Sequence, residues 1–128
     1  MIVLDASVLI AFLDPGDALH ERTGAALADV ADDEWVVPAT VCAELLVGAY
    51  RTGEWAVDIA DRFLDEGVDR IEPATLEVAR TAARIRAEHT RLSLADAFVV
   101  ATGEVLAADV VLTSDRSWSR VSEAVRVV

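Results

Sequence analysis

Short apolar runs of strand length alternate along the chain with longer stretches in which apolar residues recur every three or four positions. The first pattern is that of a buried strand and the second that of an amphipathic helix. Met1-Ile2-Val3-Leu4 predicts a buried strand over residues 1–4, after which Asp5-Ala6-Ser7 turns into an apolar helix start at Val8–Leu13. Asp14-Pro15-Gly16-Asp17 combines turn and helix-start signals. Leu19, Ala26, Leu27 and Val30 then predict a helix over 17–31. Asp32-Asp33-Glu34 is a solvated connector, and Trp35-Val36-Val37 is a second short strand, ended by Pro38.

A helix over 39–50 follows, with Gly53 as its stop, and a further amphipathic helix over 55–66 is expected to turn Ala56, Ile59, Ala60, Phe63 and Leu64 inward. Asp69-Arg70-Ile71-Glu72 reads as a short strand or extended link. Thr75 caps a long helix over 76–89, and Ser93 caps another over 94–106. Residues 109–113 form a continuous apolar run, as parallel strands do. Residues 116–122 read as short helix or loop, and Val125–Val128 as a last strand. Strands alternating with helices predict an α/β fold: a central parallel sheet of about 4–5 short strands flanked by helices on both faces.

Composition narrows the class. A chain of 128 residues with 54% hydrophobic residues and a mean hydropathy of +0.37 can bury a real core, which argues against disorder and for one domain over 1–128. No apolar run approaches the roughly 18 residues of a membrane span, and no basic leader precedes Asp5, so a cytoplasmic protein without a membrane partner is expected. Cys42 is the only cysteine, which excludes an intramolecular disulfide and a cysteine-based zinc site. His20 and His89 are isolated and read as surface or helix-end residues. The net charge is −12, unlike proteins that bind nucleic acid through bulk positive charge. It leaves open a locally basic groove on an acidic body, a basic partner, or no nucleic acid at all. All eleven basic residues are arginine.

Against this background four acids stand out, because each ends or interrupts an apolar segment expected to be buried. Asp5 follows the first strand; Glu44 lies inside Val41–Val47; Asp96 lies inside Ser93–Ala101; Asp115 follows Val110–Ser114. A buried carboxylate is costly without a cation or hydrogen bonds, and four gathered together would repel unless a divalent metal ion were bound. Ligands of open parallel sheets bind at the carboxyl ends of strands, where Asp5 and Asp115 fall.

Each acid also has a plainer reading. Asp5 could cap the next helix, Glu44 could lie on a solvated face, Asp96 could complete a capping box with Ser93, and Asp115 could form an Asx turn. Arg116 could contact a phosphate or pair with Asp115. Arg80, Arg84 and Arg91 could track a backbone, although ion pairs with Glu77 and Glu88 suit them better. Val8–Leu13, with Ile59, Phe63 and Leu64, reads as core, part of it open to a partner helix. Trp118 could stack on a base, although packing suits it better.

The segments Ile2-Val3-Leu4-Asp5-Ala6-Ser7, Glu44-Leu45-Leu46, Leu94-Ala95-Asp96-Ala97 with Ala101-Thr102, and Leu112-Thr113-Ser114-Asp115 together resemble the PIN-domain ribonucleases. Among these they look most like the VapC-type toxins of toxin–antitoxin pairs. The resemblance covers essentially the whole chain in the right order, with one departure at Gly103-Glu104, where the family more often continues with a small apolar residue. It implies a single PIN-like fold and a Mg²⁺- or Mn²⁺-dependent endoribonuclease with one or two ions, leaving 5′-phosphate and 3′-hydroxyl ends. It also implies a homodimer and inhibition by a cognate VapB-type antitoxin. By the match, Asp5, Glu44, Asp96 and Asp115 form the catalytic, metal-binding set, and Ser7 and Thr113 support it.

Three rivals can be weighed on residues. A housekeeping RNA-processing PIN nuclease would carry the same acids, so genomic context alone separates it from a toxin. A silent PIN-like binding module would lack an acid, and none is missing. A receiver domain needs a lysine, and an aspartyl-phosphate phosphatase needs a second Asp where Ser7 stands.

Overall fold

The computed structural model describes residues 1–128. Five strands form one parallel sheet: β1 (Ile2–Leu4), β2 (Trp35–Pro38), β3 (Arg70–Glu72), β4 (Val110–Thr113) and β5 (Val125–Val127), ordered β3-β2-β1-β4-β5. The helices are α1 (Ala6–Leu13), α2 (His20–Ala28), α3 (Ala39–Thr52), α4 (Glu54–Glu66), α5 (Leu76–Glu88) and α6 (Leu94–Val105), with a 3-10 turn at Arg116–Arg120. Strand composition follows position in the sheet. Ile2, Val3 and Leu4 of central β1 and Val110–Thr113 of β4 are wholly buried, whereas edge strands β3 and β5 each carry an exposed residue.

The chain runs outward from β1 through β2 to β3, then crosses back to β4 on the other side of β1. With right-handed crossovers, this reversal places α1–α4 on one face and α5–α6 on the other. Packing agrees: α1 lies against α2 and α3, and α5 lies against α6. The reversal also makes the carboxyl ends of β1 and β4 the crevice where an open sheet binds ligands.

The expected elements are present, with shifts at their ends. Helix α1 starts at Ala6 and not at Val8, because Asp5 Oδ1 accepts the Ala6 N–H as an N-cap. The helix expected over 17–31 is trimmed to His20–Ala28. Asp17 accepts the Leu19 N–H through its side chain, and turn hydrogen bonds take over after Ala28. Ile59 is not inward as expected: it is 46% exposed, because α4 packs through the stripe around Ala60. Ile10, within the expected Val8–Leu13 core, is 42% exposed for the same kind of reason, the inner face of α1 being Ala6, Val8, Leu9 and Ala11.

Gly103 explains the departure noted in the sequence. Helix α6 lies so close to β4 that a Cβ at Gly103 would fall 2.3 Å from Val111 Cγ2. Its neighbour Glu104 points to solvent and pairs with Arg84, which also pairs with Glu88. The expected pair with Glu77 is not made, and Arg80 and Arg91 are exposed without ion pairs. His20 begins α2, its Nδ1 2.9 Å from the Ala11 carbonyl, and His89 caps the end of α5.

Candidate metal-binding acidic site

Asp5 is the anchor of the acidic crevice. It is 5% exposed, and its backbone N–H donates to Leu112 O at 3.0 Å, which ties the end of β1 to β4. Its carboxylate is almost saturated with donors. Oδ1 accepts from Ala6 N at 2.8 Å, and Oδ2 accepts from the Ser7 hydroxyl at 2.6 Å and the Thr113 hydroxyl at 2.8 Å. Each hydroxyl is itself aimed by a backbone N–H from the segment after β4. Ser114 N donates to Ser7 Oγ at 3.0 Å, and Asp115 N donates to Thr113 Oγ1 at 3.1 Å. Charge-assisted bonds of this kind hold a carboxylate in one orientation without neutralising it. The plain reading of Asp5 as a cap is therefore true of one oxygen only.

The other acids converge on Asp5 from separate elements. Glu44 comes from α3, Asp96 from the first turn of α6, and Asp115 from the residue that caps the 3-10 turn. Glu44 lies within electrostatic reach of Asp5 and Asp96, and Asp96 within reach of Asp5 and Asp115. The Glu44 carboxyl is raised above the ordinary range, first by desolvation and then by the charges of Asp5 and Asp96. Asp96 is raised by desolvation and by Asp5 and Asp115, against the lowering effect of hydrogen bonding from Ser93 and Trp118. None of the four acids takes part in an ion pair.

Two expectations need correction. Glu44 and Asp115 are exposed, not buried. The inner positions of α3 are Val41, Leu45 and Ala49, one residue out of phase with Glu44, so Glu44 stands on the helix flank. Its apolar neighbours do not wrap the helix, since Val47 is also exposed. Asp115 lies beyond the strand, its Oδ1 accepting the Ser117 N–H at 2.8 Å, which is the Asx turn allowed for it. Asp96 is half-buried, and Ser93 Oγ accepts its N–H at 3.1 Å, one half of the capping box. Arg116 is exposed and does not pair with Asp115.

No three Asp, Glu, His or Cys side chains stand close enough to grip an ion directly. The donors are nevertheless of the right kind: hard carboxylate oxygens, uncompensated by any cation, around a crevice open on the Glu44 and Asp115 side. Mg²⁺ keeps several of its waters and needs only one or two carboxylates from the protein. An open arrangement of this kind fits such an ion better than a closed cage would.

Trp118 was read in the sequence as packing, and it is, at 1% exposed. That reading missed its indole N–H, which is buried without a bonded acceptor. The available signal was its position three residues after Asp115, together with the rule that a buried Trp seeks a partner for its N–H.

The raised carboxyls make a prediction for the metal-free protein. Glu44 and Asp96 bind protons more tightly folded than unfolded. Protonation therefore favours the folded state, fully below their unfolded pKa and no longer once the pH has risen through the raised folded values. Thermal melts should show stability falling as pH climbs out of the ordinary carboxylate range. Saturating Mg²⁺ should restore it, by about 2.7 kcal/mol at a hundred times Kd. A metal-insensitive, flat profile would contradict the coupling.

Residues 2–124 match the PIN domain family. Among solved structures, FitAcB from Neisseria gonorrhoeae is 26% identical, with 98% of this chain and 96% of that chain covered and a TM-score of 0.78. Mycobacterium tuberculosis VapC20, described as a sarcin–ricin loop cleaving toxin, is 22% identical over 93% of both chains, with a TM-score of 0.79. A toxin–antitoxin complex from Klebsiella pneumoniae is 19% identical, with 98% and 96% covered and a TM-score of 0.78. Comparison with curated proteins gives no match. With the PIN domain match spanning residues 2–124 of 128 on a five-stranded parallel sheet, the chain belongs to the PIN domain family.

Proposed function

We propose that this protein is a divalent-cation-dependent endoribonuclease and the toxin half of a toxin–antitoxin pair. The observation that carries this reading is the Asp5 carboxylate: buried, without an ion-pair partner, held in place by Ser7 and Thr113, and close enough to Glu44 and Asp96 to act on both carboxyls. Asp5 and Asp96 would hold the ion, with Glu44 and Asp115 on the open side holding it or its waters. When bound, Mg²⁺ or Mn²⁺ supplies water activation and charge neutralisation at the phosphate.

The chain's own residues do the rest. Ser7 and Thr113 keep Asp5 from turning away. Glu44, on the open side of the crevice, is suited to take a proton from the attacking water. Arg116, exposed beside Asp115 and free of an ion pair, is placed to contact a phosphate. No serine–histidine or cysteine–histidine pair offers a covalent route, which favours direct attack by water.

The toxin assignment draws on the relatives and on a surface. A cavity of about 380 Å³ between α1, α3 and α4 is lined by Ile10, Leu13, Leu45, Trp55 and Ile59, three of which are exposed apolar residues. Such a groove suits the apolar face of an antitoxin helix, and the −12 charge suits a basic one.

The test is cleavage of a pool of structured RNAs with Mg²⁺ or Mn²⁺ and with EDTA. Cleavage that EDTA stops supports the reading; cleavage unaffected by EDTA overturns it. A second check is Thr113→Val, which keeps the shape and removes the hydroxyl. Metal affinity should fall about 10–100-fold by calorimetry, and an unchanged affinity would mean Thr113 does not support Asp5.

A further inference from the structure

A net charge of −12 is unfavourable for an RNA substrate, yet the charge is not spread evenly along the chain. Residues 1–69 hold fifteen acids and three arginines, whereas residues 70–128 hold eight acids and eight arginines. The whole excess of negative charge therefore belongs to β1, β2 and α1–α4. The part made of β3, α5, α6, β4, the 3-10 turn and β5 is neutral. A polyanion is repelled from the first part and not from the second.

Within the neutral part, arginines stand at the crevice end of the sheet. Helix α6 ends at Val105, β4 begins at Val110, and a Cβ at Gly103 would meet Val111. Helix and strand therefore run antiparallel, so the N-terminal end of α6 lies toward the carboxyl end of β4. Asp96 and the turn from α5 are at that end of the helix, and Asp115 and the 3-10 turn follow that end of the strand. Both turns are braced from within. Leu92 is 4% exposed and its N–H donates to the His89 carbonyl at 3.0 Å, while its neighbour Arg91 is exposed. Trp118 is buried and its backbone N–H donates to the Asp115 carbonyl at 3.2 Å, while Arg116 and Arg120 are exposed. Arg70 and Arg84 are held in ion pairs, but Arg91, Arg116 and Arg120 are in none. Exposed guanidinium groups without a carboxylate partner are suited to phosphates.

We propose that the RNA strand crosses the crevice on the side built by residues 70–128. Arg91 takes a flanking backbone phosphate on the Asp96 side, and Arg120 takes another on the Asp115 side. Such contacts set the position of the strand and carry no sequence information. The acidic side, which carries the apolar groove between α1, α3 and α4, is left to a protein partner. This inference rests on the nuclease reading above for its substrate, but the uneven charge does not.

Steady-state cleavage at several salt concentrations tests it, with one RNA cut from the structured pool and labelled at its 5′ end. Arg91→Gln and Arg120→Gln together should raise KM about tenfold and flatten the rise of log KM with log salt by roughly 0.7 for each arginine. Arg22→Gln on α2 and Arg62→Gln on α4 remove the same charge from the acidic part and should leave KM and kcat unchanged. All four side chains are exposed, so the fold should be kept, as circular dichroism checks. An unchanged KM and salt slope in the double variant, or an equal rise in the two controls, overturns the proposal. If the unaltered protein cut no RNA, the nuclease reading would fall. Fluorescence anisotropy with a labelled single-stranded RNA of mixed sequence would still decide this inference. Tighter binding by the unaltered protein than by the double variant upholds it, and equal or absent binding overturns it.

Discussion

Asp5→Asn is expected to lower metal-dependent RNA cleavage by at least about 10³-fold while the protein stays folded. The two side chains have the same shape, so the comparison isolates charge and hydrogen bonding. The Ser7 and Thr113 hydroxyls both donate to Oδ2 and will select the amide oxygen for that place. The amide nitrogen then takes the place of Oδ1, beside the Ala6 N–H, and presents hydrogens where an acceptor is required. A facing pair of donors costs stability, whereas losing a charge relieves Glu44 and Asp96, whose carboxyls Asp5 pushes up. These effects oppose each other, so the melting temperature should change little. Initial cleavage rates alongside circular dichroism check both halves; activity within tenfold of the unaltered protein would remove Asp5 from the site.

Gly103→Ala should destabilise the fold by about 1–3 kcal/mol, although alanine is the better helix former by about 1 kcal/mol. The added methyl would lie 2.3 Å from Val111 Cγ2. Val111 cannot yield easily: it is β-branched, 1% exposed, and held in β4 between β1 and β5. Relief therefore requires α6 to move off the sheet, and α6 carries Asp96. Metal affinity should fall along with the melting temperature. Chemical denaturation measures the first effect and calorimetry the second, and a Gly103→Ala protein more stable than the parent would mean that the helix does not pack this closely.

Much of the architecture was legible because strand and helix burial leave different marks. Continuous apolar runs marked β1 and β4, and Thr75 and Ser93 marked helix starts that their side chains do cap. Asp5 and Asp115 were legible as strand-end acids. What escaped was orientation within helices. Ile10 and Ile59 look like core residues in a one-dimensional pattern, yet they line an open groove, because three helices meet there without a fourth element to cover them. Glu44 looked buried because its neighbours are apolar, yet it stands out of phase with the inner face of α3, Val41, Leu45 and Ala49. The Arg84–Glu104 pair spans two helices and has no local signal, whereas Arg84–Glu88 follows from one-turn spacing. The unfilled Trp118 indole N–H depends on three-dimensional packing, which no spacing encodes.

The ends left on the RNA test the central claim most directly. A 5′-labelled RNA incubated with the protein and Mg²⁺ can be mapped and its new termini identified enzymatically. Hydrolysis by water activated in the acidic crevice predicts 5′-phosphate and 3′-hydroxyl ends that disappear with EDTA. Products ending in 2′,3′-cyclic phosphate, formed with or without Mg²⁺, would mean that the RNA's own 2′-hydroxyl attacks, and would contradict a metal-assisted role for the four carboxylates.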